Sequence, residues 1–170
     1  MVDSVKELTR ISQELKQKTE KVNKVINEID DQLAELELGK EVWLQSSPLE
    51  AFIVDKGSHQ EHVRLLGYYR FKNGWHLAVC SGCLKPLTDN QREVLGTLAH
   101  VGRGMYSRKN LYFEPFEGCT EPLVGASREI RVKALKLIPA LLDLINVQAQ
   151  DLVSLMDRLG EGAANGKRHQ

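Results

Sequence analysis

The sequence predicts an α+β fold in which long N- and C-terminal, coiled-coil-like helices pack together and carry a small antiparallel β-sheet head between them. Three observations predict it. Leu8, Leu15, Val22, Ile29 and Leu36 recur every seven residues. Leu135, Ile138, Leu142, Ile145, Ala149, Leu152, Met156 and Leu159 repeat the 3-4 spacing near the other end. Between them, the runs HVRLLGYYRF and WHLAVC flank Lys72-Asn73-Gly74. Sustained heptads mark helices that need a helical partner, and Asn-Gly between β-type runs is the strongest short-range hairpin signal.

The first helix is expected over residues 4–38, within an N-terminal segment 1–39. Its second seam position holds Ser12, Thr19, Ile26 and Leu33, so the stripe is weak at the start and strong towards the end. Glu14 with Lys18 and Glu20 with Lys24 have the favourable i,i+4 order. No proline interrupts the run, and Gly39 is placed to stop it as a C′ residue. At 1.5 Å per residue such a helix is roughly 50 Å long. Its stripe cannot be buried alone.

Residues 40–124 are expected to form the head. Val42-Trp43-Leu44 and Phe52-Ile53-Val54 read as short strands, and Asp55-Lys56-Gly57 as a turn. A type I′ turn at Asn73-Gly74 would set Lys72 opposite Trp75, Arg70 opposite Leu77 and Tyr68 opposite Val79, leaving Tyr69, Phe71, His76, Ala78 and Cys80 on the other face. Thr88 or Asp89 can cap a helix reaching about Val101, with a loop after it and an edge strand at residues 111–116. The second long helix is expected over 125–160. Ser127 is its N-cap, Glu129 suits the positive end of its dipole, and Pro139 should kink or break it. Residues 161–170 have nothing to bury and read as a disordered tail.

Composition narrows the function classes. The chain has 170 residues, 42% apolar and 27% charged, with 23 basic against 23 acidic side chains. Zero net charge gives no global field towards nucleic acid or membrane, and no apolar run approaches the ~20 residues of a membrane span. The opening MVDSVKELTR lacks the apolar core of a secretory signal, and three cysteines are too few for a disulfide scaffold, so a cytoplasmic location is expected. Neutrality hides a dipole in the sequence. Residues 64–136 hold twelve lysines and arginines against six aspartates and glutamates, so a basic head sits between acidic helices.

Three constellations bear chemistry. In Cys80-Ser81-Gly82-Cys83 a C-x-x-C at a strand end can bring two thiolates onto one zinc ion, with Cys119 together with His100, or with the His59/His62 pair, completing it. His76 is excluded as a partner, since four strand residues separate it from Cys80 by about 13 Å. The favoured reading is simpler: Cys80 packs in the sheet, Cys83 sits in a turn, and no metal is bound. The second constellation is the start of the C-terminal helix, where Arg128 and Arg131 lie one turn apart beside free backbone N–H groups, a geometry suited to phosphate or carboxylate. The third is the loop with Arg103, Tyr106 and Arg108, where an aromatic lies among cations. Tyr68 and Trp75 can add stacking. No H-E-x-x-H, G-x-S-x-G or Walker spacing is present, so an enzyme is not expected.

The expectation is therefore a non-catalytic, homo-oligomeric binding protein. It would take an anionic, nucleotide-like small molecule at Arg128, Arg131, Arg103, Arg108, Tyr68, Trp75 and Tyr106, without a cofactor. The alternatives are a protein–protein adaptor whose helices are the working surface, with structural zinc on Cys80, Cys83, Cys119 and His100, and a weak nucleic-acid-binding module. The neutral charge disfavours the last.

Overall fold

The computed structural model of the chain describes residues 2–36, 39–53, 61–86 and 111–166. The expected turn at 55–57, the helix at 88–101 and the loop with Arg103, Tyr106 and Arg108 lie outside them. The fold is α+β: α1 (Val2–Ala34), β1 (Val42–Trp43), β2 (Glu50–Ile53), β3 (Glu61–Phe71), β4 (Gly74–Pro86), β5 (Leu111–Pro122), a 3-10 turn (Leu123–Gly125) and α2 (Arg128–Gly166).

The sheet is antiparallel, with β3 and β4 at its centre and β5 along the far side of β4. β1 and β2 share the other side of β3, one pairing with its end and one with its start. Odd residues of β4 and even residues of β3 face the helices. Leu66, Tyr68, Trp75, Leu77 and Val79 meet Ile26 and Leu33 of α1 and Ile130, Ala134, Ile138, Leu141 and Ile145 of α2 in the main core. The opposite face carries a smaller cluster of Val63, Leu65 and Leu84, with Trp43 and Phe113 against it. Trp43 lies over Gly67, where any Cβ would overlap its ring and the Val42 carbonyl. That close approach is why the middle of a strand carries glycine here.

The hairpin forms where Asn-Gly predicts it, but in a different register. Phe71 pairs with Gly74, Arg70 with Trp75 and Tyr68 with Leu77, so the two-residue turn is Lys72-Asn73 and Gly74, at φ 130°, opens β4. The shift is an even number of residues, and every side chain keeps its expected face. β4 also runs on to Pro86, well past the expected strand end at Cys80.

α1 ends at Ala34, before Gly39. Its last turn closes through Leu36 N–H on Leu33 C=O, and the Tyr68 hydroxyl donates to the carbonyls of Leu33 and Leu36. The sheet thus takes over the carbonyls that a C-cap glycine motif would satisfy. α2 starts as expected: the Ser127 Oγ accepts from Ile130 N–H at 3.4 Å. It runs through Pro139 without a break and its backbone continues to Gly166, beyond the expected end near 160, through the helix-favouring Glu161, Ala163 and Ala164.

Candidate interaction surface

α1 falls into two halves with one sequence pattern and two environments. In the second half the stripe is docked. Ile26 and Leu33 are buried, with Val22 and Ile29 packed beside them. Two polar contacts fix that half to the sheet. Tyr68 holds its end at 2.5 Å from Leu33 O. Asp30 accepts the Leu77 N–H at 2.5 Å and lies 3.2 Å from His76 Nδ1. The Leu77 N–H is available because β5 stops at Pro122, opposite Ala78. Burial pushes the Asp30 carboxyl above its ordinary value, while the Leu77 and His76 contacts pull it down. Burial, and then the nearby Asp30, push the Tyr68 phenol up to about 12.

In the first half the stripe is bare. Every residue from 4 to 18 is exposed. Val5 is 59% and Leu8 65% accessible, with Ile11 and Leu15 at 40% and 41%. Ion pairs line its flank: Arg10 with Glu7 at 2.7 Å and Glu14 at 3.6 Å, and Lys18 with Glu14 at 2.7 Å. Exposed pairs of this kind add little to a helix, because water and salt screen them. They keep the segment helical but do not cover its apolar side.

The residues expected to hold an anion are placed differently from one another. Arg128 is exposed at the start of α2. Arg131 is committed within the chain: its Nη1 donates to Asn23 Oδ1 on α1 and, at 3.4 Å, to Val124 O, and its Nε is buried without a partner among the described residues. Tyr68 is fully buried, and its ring stacks on Trp75 with centroids 5.2 Å apart and planes 19° from parallel. Both aromatics are occupied in the core, because the helix-facing side of β3 and β4 is where α1 and α2 pack. Arg103, Arg108 and Tyr106 lie outside the described residues. So this group does not converge on one described site.

The cysteines are also spread. Cys83 lies within β4, not in a turn. Cys80 pairs with Leu65, on the face of the smaller cluster, and Cys83 pairs with His62 three positions on. An odd separation in an extended strand sends the two thiols to opposite faces, so a strand-end zinc turn does not form here. Thr120 Oγ1 donates to Cys80 Sγ at 3.2 Å. Burial raises both thiols above the usual value, which keeps them protonated and unreactive. Cys119 is exposed, in the bulge where residues 116–119 of β5 lie opposite Ser81 alone. Among the described residues no group of three or more His, Cys, Asp or Glu side chains is placed to hold a metal ion. His100 lies outside them.

Sequence reading did not single out Asp30 or pair it with His76. A signal was present: Ile26, Asp30 and Leu33 share one helical side, and an acid among seam residues needs a specific partner. No helix among the described residues is long and apolar enough to cross a membrane. Comparison with protein-family models, curated proteins and solved structures finds no match to this chain.

Proposed function

We propose that the protein is a non-catalytic, homo-oligomeric binding protein whose copies associate through the first half of α1. The observation that carries this reading is the bare stripe of Val5, Leu8, Ile11 and Leu15, on a helix whose second half is anchored in the core. Scattered exposed apolar residues are ordinary, but a helical row of them at heptad spacing is the mark of a docking side. The head acts as the anchor that nucleates the helix and presents it. Burying these four side chains from each of two copies contributes on the order of 10 kcal/mol, at roughly 1.5 kcal/mol each. That is of the same order as the cost of bringing two chains together. Association is therefore expected to depend on concentration within a measurable range.

Commitment of Arg131, Tyr68 and Trp75 within the chain favours assembly over an anionic-ligand site as the leading function. Burial of the Cys80 and Cys83 thiols, which raises both above their usual values, suits a non-catalytic role.

The test is molar mass by light scattering during size exclusion, from micromolar to hundreds of micromolar. One chain is 19.2 kDa. A mass rising with concentration to a whole multiple of that value supports the reading, and 19.2 kDa throughout rejects it. The double variant Leu8→Lys, Leu15→Lys should return to the single-chain mass with its thermal unfolding retained.

A further inference from the structure

We infer that the partner is a second copy of this chain, lying antiparallel along residues 4–19 of α1, with the two heads at opposite ends of the pair. This rests on the assembly reading above and specifies its partner and direction.

The geometry of α1 selects the direction. Leu8 and Ile26 are eighteen residues apart, and so are Leu15 and Leu33. Eighteen residues at 3.6 per turn make about five whole turns, so each pair projects from the same side of a straight helix. Ile26 and Leu33 face the chain's own head. The bare stripe is therefore continuous with an interface that the chain already fills with itself. A helix lying on Leu8 and Leu15 sits directly in line with that head.

Consider a parallel pair. Both copies then turn residues 22–36 towards the seam at the same level, and both heads must occupy the same space between the helices. An antiparallel pair removes the conflict. Each docked half then lies beyond the partner's bare half, and each head keeps its own space. The apolar side chains match in this direction as well: with Leu8 level with the partner's Leu15, Ile11 falls near the dyad.

Charge points the same way. With Leu8 level with the partner's Leu15, residues 15–21, with Lys16, Lys18 and Lys21 against Glu20, lie opposite residues 2–8, with Asp3 and Glu7 against Lys6. Antiparallel pairing sets the acid-leaning stretch beside the basic one. Parallel pairing sets like beside like. Exposed charges are screened beyond about 8 Å at physiological salt, so this effect is secondary to the steric one.

The experiment measures distances in the full-length chain by double electron–electron resonance. Cys119→Ser removes the exposed thiol, and Cys80 and Cys83 are buried. A nitroxide is placed at Lys24→Cys in one sample and at Gln13→Cys in another; both positions are exposed. With the dyad near residues 11–12, antiparallel copies carry their residue-24 labels roughly 35–40 Å apart along the axis and their residue-13 labels within about 20 Å. Those two distances together support the inference. A dimer with residue-24 labels within about 20 Å overturns the direction while leaving assembly standing. A dimer with both distances long places the contact elsewhere and overturns the site. A chain that stays at 19.2 kDa leaves the stripe to a different protein and overturns both readings.

Discussion

The two halves of α1 carry the same heptad stripe, yet one is core and the other is bare. Around Ile26 and Leu33 the stripe meets a sheet whose facing side is apolar and whose polar groups are aimed at it: the Tyr68 hydroxyl, the Leu77 N–H and the His76 ring. Around Leu8 and Leu15 it meets no other element among the described residues. Periodicity therefore marks the side of a helix that requires a partner without saying where the partner comes from. What separates the halves is the receiving surface.

That contrast is broken most strongly by deleting side chains from one half at a time. Ile26→Ala removes a fully buried side chain and should cost about 2–5 kcal/mol of unfolding free energy. Leu8→Ala, measured by urea denaturation at a concentration where the chain is monomeric, should change stability by less than about 0.5 kcal/mol. Equal losses at both positions would mean that the first half is covered within the chain, and the proposed docking side would fail. The mass measurement on the Leu8→Lys, Leu15→Lys variant probes the same contrast from the side of association.

The expected fold class was legible because its signals are local or periodic. Heptads gave both helices, Asn73-Gly74 located the hairpin, and Ser127 marked the start of α2. The features that were not legible depend on tertiary contacts. α1 stops at Ala34 because Tyr68 reaches its last carbonyls from β3, thirty-five residues after Leu33. No local stop signal encodes that. Likewise, Tyr68 and Trp75 look like ligand-stacking residues in a basic region of sequence. Alternation shows that they share a face of the hairpin but not that helices cover that face. Cys80 and Cys83 suggest a turn only as long as β4 is taken to end at the first of them.

A smaller effect sharpens the account of the docked half. Tyr68→Phe keeps the ring on Trp75 but removes the hydroxyl that donates to Leu33 and Leu36. The expected loss is about 1–2 kcal/mol. Hydrogen exchange should quicken at the last turn of α1 and leave β3 and β4 protected. Loss of protection across the whole sheet would instead assign Tyr68 a packing role and remove the hydroxyl as an anchor.

The smallest effect separates burial from attraction at Asp30. Burial holds its carboxyl above the ordinary value of 3.8, so the folded chain binds this proton more tightly than the unfolded chain. The contribution to stability is then complete below the ordinary value and is lost as pH rises through the raised folded value. Asp30→Asn retains a side-chain oxygen for the Leu77 N–H and cannot ionise. The stability of the natural chain relative to Asp30→Asn should therefore fall with rising pH across that window and level off above it. Both chains retain His76, Tyr68 and the neighbouring Asp31, the other groups that act on this position, so the comparison changes only the ionisable group at residue 30. A difference that grows with pH would show that attraction between the Asp30 carboxylate and His76 outweighs desolvation. The docked half of α1 would then be held by an ion pair, and what distinguishes it from the bare half would be charge as much as apolar fit.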